Sequence, residues 1–172
     1  MLLARREPDG IAVTPDGRWF VTADEGDTFP DVDNTPQGSP VGGARSISVF
    51  DSETGALLGD TGPQLDRAAA SLGLHTDRRS PRKGCEPEMV VVLDLDGKLY
   101  AAVTLERVGA VALIDLADPA VPTLVAISVA GENPWKDEPE GLAHYRDPAS
   151  GRDFLFVANE GKSTLGVLRV VR

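Results

Sequence analysis

The chain has 172 residues, with 17 Lys and Arg against 27 Asp and Glu, and a formal net charge of −10. Its length and its 41% hydrophobic residues suffice for one folded domain, and its acidity disfavours binding to nucleic acids or anionic membranes. One cysteine and two histidines exclude a disulfide framework and leave little room for a zinc or copper centre. No apolar run approaches the roughly 20 residues of a membrane span. The first six residues do not resemble a signal peptide, because the apolar stretch before the first charged residue is too short.

An internal repeat organises the chain. Three segments begin with Glu-Pro-acid, continue through a hairpin, and end in a strand that is followed by Glu; they are 7–26, 86–107 and 138–161. The Asp-Gly turn within a segment is a strong hairpin signal, because glycine tolerates the positive φ that a two-residue turn needs.

Further short, β-branched stretches follow each hairpin. A third strand is expected at 46–51, 110–115 and 165–170, and a fourth around 56–58 and 123–129. Four-stranded antiparallel units of about 40–50 residues are typical of propeller blades. We therefore predict an all-β chain, a single β-propeller segment (1–172) of about three four-stranded antiparallel blades, at about 7–60, 86–130 and 138–172.

Two insertions interrupt the first unit, at 27–43 and 61–84. The first is rich in Asp, Pro and Gly and contains Asp31-Val32-Asp33-Asn34, which resembles a calcium loop only loosely. The second contains the one stretch with helical potential, 64–74, and a basic run at 78–83 that we interpret as a solvated loop.

Three blades do not close a propeller, and the third unit lacks a fourth strand. We expect a partial ring, either part of a longer protein or a protomer. The expected partners are therefore the remaining blades of a longer protein or a second protomer, together with a small-molecule or surface ligand at the channel mouth.

Strand direction places the repeated carboxylates at one end of the units. The start of one hairpin strand lies beside the end of the next, so the Glu-Pro-acid motifs and the strand-terminal Glu residues share one rim, where a propeller channel opens. Hard oxygen ligands suit Ca²⁺, with Mg²⁺ a less favoured alternative. The rim contains eleven carboxylates, and we predict that all of them except Asp9 are metal ligands. The ten predicted ligands are Glu7, Asp24, Glu25, Asp27, Glu86, Glu88, Glu106, Glu138, Glu140 and Glu160.

A structural alternative stays open for these acids, because any of them could cap backbone N–H groups at the blade junctions. Catalysis also stays open: a calcium-dependent phosphoesterase would use the same rim, with Arg107, Lys162 and the basic run 78–83 as its cations. No nucleophile elbow or phosphate-binding glycine loop is present, so no catalytic residue is assigned. His144 is expected to be a packed strand residue and Cys85 a small buried one.

The motifs resemble the choice-of-anchor I family of bacterial β-propellers, and more distantly the esterase-like phytase propellers. The resemblance rests on Val21–Asp27, Glu86-Pro87-Glu88, Leu105–Gly109 with Ile114-Asp115, Glu138–Leu142 and Val157–Glu160. It implies a YVTN/WD40-like propeller that is exported and tethered at the cell surface, and members are often described as phosphatase-like. One departure is Met89, which stands where the other two units have Gly10 and Gly141.

Overall fold

The computed structural model describes residues 7–26, 45–75 and 83–171, and the first insertion, 27–43, lies outside them. The first sheet contains β1 (Pro8–Val13), β2 (Trp19–Asp24), β3 (Ser46–Asp51) and β4 (Leu57–Asp60). The second contains β5 (Pro87–Leu95), β6 (Lys98–Leu105), β7 (Ala110–Asp115) and β8 (Thr123–Val129). The third contains β9 (Pro139–Arg146), β10 (Asp153–Asn159) and β11 (Thr164–Val170).

Each sheet is antiparallel, and its strands follow one another in chain order. The all-β prediction is confirmed: three successive sheets form the blade-like units of a partial propeller. The third sheet differs from the four-stranded pattern, since it has three strands among the described residues. Neighbouring sheets contact one another mainly through their first strands, β1, β5 and β9. The turn that joins the first two strands of each sheet lies at the end that we call the lower end, and the Glu-Pro motifs lie at the upper end.

Alternating side chains pack the sheets face to face. Val21, Ile47 and Val49 of the first sheet pack against Ala101 and Val103 of the second, and all five are fully buried. A second apolar cluster joins Leu93 and Ala102 of the second sheet to Leu155 and Val157 of the third. The second sheet is therefore the middle layer of the stack.

Helical structure is confined to short connections. Helix α1 (Gln64–Ser71) forms within the second insertion, where the sequence indicated helical potential, and it buries Leu65 and Ala69 against the first core cluster. Helix α2 (Pro134–Asp137) is one turn between β8 and β9. No described helix is long and apolar enough to cross a membrane.

Candidate metal centre

The same backbone conformation and hydrogen bond occur at the upper end of every sheet. Glu7, Glu86 and Glu138, each followed by proline, adopt positive φ values of 48°, 57° and 48°. Each carbonyl accepts a hydrogen bond from the amide of the Glu that follows the second strand: Glu25 to Glu7 at 3.0 Å, Glu106 to Glu86 at 2.9 Å, and Glu160 to Glu138 at 3.0 Å. The left-handed conformation is unfavourable for a residue with a side chain, so its threefold recurrence indicates a specified geometry.

The first carboxylate group joins two sheets. Oxygen atoms of Asp9, Glu25 and Glu88 all lie within 4.8 Å of one another. The approach depends on Gly10, because a Cβ atom there would lie 2.4 Å from the carbonyl oxygen of Glu88 and 2.8 Å from the amide nitrogen of Val90. Glycine thus lets β1 pack closely against β5 and brings Asp9 to Glu88.

The second carboxylate group lies within the middle sheet. Glu86, Glu88 and Glu106 present oxygen atoms within 4.8 Å of one another, so Glu88 belongs to both groups. Glu86 and Glu106 are almost fully buried, at 3% and 5% exposure. We call the five residues of the two groups the carboxylate cluster: Asp9, Glu25, Glu86, Glu88 and Glu106.

Burial and neighbouring carboxylates make ionisation unfavourable for three members of the cluster, Glu25, Glu88 and Glu106. Burial and hydrogen bonds with Glu25 and Asp9 raise the pKa of Glu88 to about 10. Burial and the charge of Glu86 raise the pKa of Glu106 to about 7, and burial also raises the pKa of Glu25. Without additional positive charge, the cluster therefore retains protons at neutral pH.

Two cationic side chains flank the cluster. Lys83 contacts Glu25 directly, and its Nζ lies 3.7 Å from Oε1 of Glu86. Burial alone would lower the pKa of Lys83, but its hydrogen bond and ion pair with Glu25 raise it. The sequence interpretation placed the basic run 78–83 in a solvated loop. That interpretation is wrong for Lys83, which contacts carboxylates of the rim. The rest of the run, 78–82, lies outside the described residues.

Arg107 joins the second sheet to the third. Its Nε donates to Glu86 at 2.7 Å, and its Nη1 lies 2.7 Å from Glu106 and 3.1 Å from Glu138. A single guanidinium thus binds three carboxylates: the first Glu of the Glu-Pro-acid motif in the second and third repeats, and the Glu that follows β6.

The remaining predicted ligands do not join the carboxylate cluster. Asp24 is 1% exposed and accepts hydrogen bonds from Thr22 (2.7 Å), Ser46 (3.1 Å) and Ser48 (2.6 Å). The side chain of Glu7 lies outside the two groups among the described residues, and Asp27 and Asp31–Asn34 lie outside the described residues altogether.

A separate acidic pair lies on the third sheet. The hydrogen bond between Glu140 and Glu160 raises the pKa of Glu140, with partial burial as the second cause. Glu138, by contrast, is held by Arg107. The third repeat therefore lies at the margin of the rim.

The sequence interpretation omitted Asp9 as a ligand, and it considered Lys83 as a rim cation only as part of the basic run in the phosphoesterase alternative. Asp9 occupies the acidic position of its Glu-Pro-acid motif, as Glu88 and Glu140 do in theirs, and that register was the available signal. For Lys83 the signal was weaker: it precedes Glu86 by three residues, across a turn at Gly84 with φ of 58°.

His144 and Cys85 take the places that the sequence indicated. His144 lies within β9, where its Nε2 is 2.9 Å from Oδ1 of the buried Asp153. Cys85 is fully buried, and burial together with the charge of Asp66 raises the pKa of its thiol, which disfavours a nucleophilic thiolate.

The stacked antiparallel sheets and the acidic rim define an all-β segment of the propeller type. A family model, the Choice-of-anchor I domain, matches residues 40–119. Over this segment the chain is similar to choice-of-anchor I domains, in agreement with the resemblance inferred from the motifs. The matched segment includes all of Glu86, Glu88, Glu106 and Arg107, whereas Asp9 and Glu25 precede it.

Among solved structures, the chain is similar to a Bacteroides fragilis protein described as a candidate 6-phosphogluconolactonase. The identity is 13% and the TM-score 0.54, and the similarity covers 95% of this chain and 38% of that one. This likeness concerns the fold alone, and the chain spans little more than a third of that protein's length. No curated protein matches the chain.

Proposed function

We propose that the carboxylate cluster binds a divalent cation, with Ca²⁺ preferred, in a surface-type propeller module. The observation that carries this proposal is the position of Glu88, whose oxygen atoms reach both the Asp9–Glu25 group and the Glu86–Glu106 group. Ca–O bonds are about 2.3–2.6 Å long, so ligand atoms within 4.8 Å of one another can share one calcium ion.

The electrostatics of the cluster support a cation. Five carboxyl groups converge beside two flanking cations, Lys83 and Arg107, and Arg107 also binds Glu138 outside the cluster. A dication would replace the protons that Glu88 and Glu106 retain, and it would offset the repulsion that raises their pKa values. The flexible coordination of Ca²⁺ tolerates such a mixed set better than the octahedral requirement of Mg²⁺.

The family supports a cell-surface or extracellular setting for this module. Calcium sites of extracellular modules commonly have dissociation constants of about 10⁻⁴–10⁻³ M, which a partly protonated cluster can reach. In such a module the rim would be the ligand-binding face, for a small molecule or a surface group bound through the cation. Polyanions such as nucleic acids are poor partners because the rim is acidic.

Thermal unfolding tests the proposal directly. We expect millimolar CaCl₂ to raise the Tm and EDTA to lower it to the metal-free value, because an ion that binds only the folded state stabilises it. MgCl₂ at the same concentration should give a smaller shift. An unchanged Tm over the whole CaCl₂ range would contradict cation binding.

A phosphoesterase is the second candidate function, favoured by the placement of Lys83 and Arg107 beside the carboxylates. A cation in the cluster would supply charge for a phosphate group, and these two side chains would bind its remaining oxygens. Turnover of an aryl phosphate in the presence of Ca²⁺ tests this function. If turnover survives the double substitution Glu106→Gln and Glu160→Gln, the rim is not the catalytic site.

The partners proposed for ring closure are further blades of a longer protein or a second protomer. Apolar side chains at the two ends of the stack support this proposal: Ile11 and Val13 on the first sheet are 65% and 59% exposed, and Phe156 and Val167 on the third are 43% and 58% exposed. The mass of the chain in solution separates the two partners, because a second protomer doubles it.

A further inference from the structure

The second strand of every sheet ends at an equivalent buried position near the upper end. Asp24, Leu105 and Asn159 occupy it, since each pairs with the proline that opens its own sheet. All three side chains are buried. A polar group at this position therefore needs a hydrogen-bond partner inside the protein or from a bound molecule.

The first two sheets meet that need internally. Asp24 accepts hydrogen bonds from the hydroxyl groups of Thr22, Ser46 and Ser48. Leu105 has an apolar side chain and packs in the first core cluster. In neither sheet does the position call for an outside partner.

The third sheet leaves one acceptor at this position unpaired. The Nδ2 atom of Asn159 donates to the carbonyl oxygen of Ala130 and to Oγ1 of Thr164, both at 3.3 Å. Because a carbonyl oxygen only accepts, these contacts fix the amide orientation. The other amide atom, Oδ1, is buried and has no partner among the described residues.

The missing donor follows from the sequence of β11. Gly166 stands where the first sheet has Ser48, because the two residues have the same register on their neighbouring strands. A side chain is excluded at Gly166, where a Cβ atom would lie 2.3 Å from the carbonyl oxygen of Ala130. The chain therefore cannot supply a hydroxyl donor from that position.

Asn159 lies in the wall of a cavity of about 610 Å³, between the segment that follows β8 and the start of β11. Asp137, which is also buried, lies in the same wall, and its Oδ2 accepts from the amide of Asn133 at 2.9 Å. Gly131 lies against both side chains, because a Cβ atom there would be 2.6 Å from Oδ2 of Asp137 and 3.1 Å from Nδ2 of Asn159. The carboxyl group and the amide thus form one polar wall. Small-molecule sites typically have volumes of about 300–1,000 Å³.

The groups that line the cavity select the class of ligand. Asn159, Asp137 and Glu132 offer acceptors, whereas Lys162 and the hydroxyl of Thr164 offer donors. An ammonium ligand would be repelled by Lys162, and an anion by Asp137 and Glu132. Neutral hydroxyl groups can both donate and accept. We propose that this cavity binds a neutral saccharide unit, one hydroxyl of which donates to Oδ1 of Asn159. The cavity shares no residue with the carboxylate cluster, so this proposal does not depend on the cation.

Nuclear magnetic resonance of the isotope-labelled full chain tests the proposal, with the side-chain Nδ2 signals of Asn159 as the reporter. The probes are D-glucose, D-galactose and D-mannose, each titrated in EDTA so that a cation in the rim cannot contribute. We expect at least one of them to shift the reporter signals saturably at millimolar concentration. The amino and uronic acid derivatives of that sugar should bind at least about tenfold more weakly because they carry a charge.

Two variants assign the binding to this cavity. Asn159→Leu installs the residue that the second sheet has at the equivalent position, and it should weaken binding by at least about tenfold. Thr164→Val keeps the shape of an exposed side chain but removes its hydroxyl, and it should weaken binding by about threefold or more. Thr123→Val, at an exposed position outside the cavity, should bind like the unaltered chain. The dispersion of the backbone amide signals shows whether each variant is folded, and Thr164→Val decides the matter if Asn159→Leu is not.

Three results would overturn the proposal. No change in the Asn159 signals with any of the three neutral sugars shows that the cavity is not a saccharide site. Equal binding by the folded variants and the unaltered chain places the sugar elsewhere. Tighter binding of a charged derivative than of its neutral parent excludes the proposed class of ligand.

Discussion

The amide of Glu106 donates a 2.9 Å hydrogen bond to the carbonyl oxygen of Glu86, and each residue contributes a carboxylate to the same group of three. This backbone bond fixes the start of β5 beside the end of β6. Two acidic side chains separated by 20 residues are thereby held together although their charges repel. The fold thus imposes the proximity, which a bound cation would make favourable.

Replacement of Glu88 by Gln should separate the stability of the protein from its cation binding. Glu88, with a pKa of about 10, is protonated at pH 7, so a neutral amide of similar shape should change the metal-free Tm little. The same substitution removes the ligand shared by both carboxylate groups and should abolish most of the Tm increase that calcium produces. Differential scanning fluorimetry with and without CaCl₂ measures both effects.

Glu53→Gln is the matched control for that substitution, because it makes the same chemical change in an exposed turn at the lower end. It should retain the full calcium response. If both variants respond to calcium like the unaltered chain, Glu88 is not a ligand.

The pH dependence of stability should have a definite sign in EDTA. The pKa values of Glu106 and Glu88 are raised in the folded state to about 7 and about 10, so the folded protein holds more protons than the unfolded one above about pH 4.3. The stabilisation from these protonated groups is complete at low pH and is lost as pH rises through 7 and then through 10. Glu106 and Glu88 should therefore make the free energy of unfolding lower at pH 9 than at pH 6, as measured by urea unfolding at the two pH values.

Calcium should reduce this loss, because the ion binds the ionised cluster more strongly as protons leave. The Tm increase with CaCl₂ should be larger at pH 9 than at pH 6. A calcium response that declines as the pH rises would show that the ion does not bind these carboxylates.

Gly10→Ala should disturb the approach of β1 to β5. The added Cβ would lie 2.4 Å from the backbone oxygen of Glu88, so one of the two strands must move. We expect a loss of about 1–3 kcal/mol in the free energy of unfolding, measured with urea, together with weaker calcium binding. Ser52→Ala, in an exposed lower turn, should change neither quantity.

Lys83→Gln should distinguish the two candidate functions. The substitution removes a positive charge that contacts Glu25 and lies near Glu86, so calcium affinity should rise by about threefold or more. For a phosphoesterase, the same change should lower turnover of an aryl phosphate because one phosphate-binding cation is lost. Lys98→Gln, exposed at the lower end, is the control for both measurements.

Much of the fold could be predicted from local sequence signals. The Asp96-Gly97 turn, with φ values of 57° and 84°, connects β5 to β6 as its sequence indicates, and the strand-terminal Glu residues meet the Glu-Pro motifs at one end. These relationships follow from the alternation and direction of neighbouring strands. They involve only strands that are adjacent along the chain, so no knowledge of how the sheets pack on one another was needed to predict them.

The membership of the carboxylate cluster could not be derived in this way. Asp9 reaches Glu88 across two sheets because Gly10 permits close packing, and Asp24 points instead to the hydroxyls of Ser46 and Ser48. Both outcomes depend on packing between segments that are distant in sequence. Lys83 likewise reaches Glu25 only through the path of its loop.

Calcium titration by calorimetry tests the central claim most directly. We predict saturable binding to the unaltered chain, accompanied by proton release, because Glu88 and Glu106 must give up protons to coordinate the ion. Titrations near pH 7 in two buffers of different ionisation enthalpy quantify that release. Absence of binding to the folded chain at millimolar calcium would contradict the account, and binding without proton release would place the ion elsewhere.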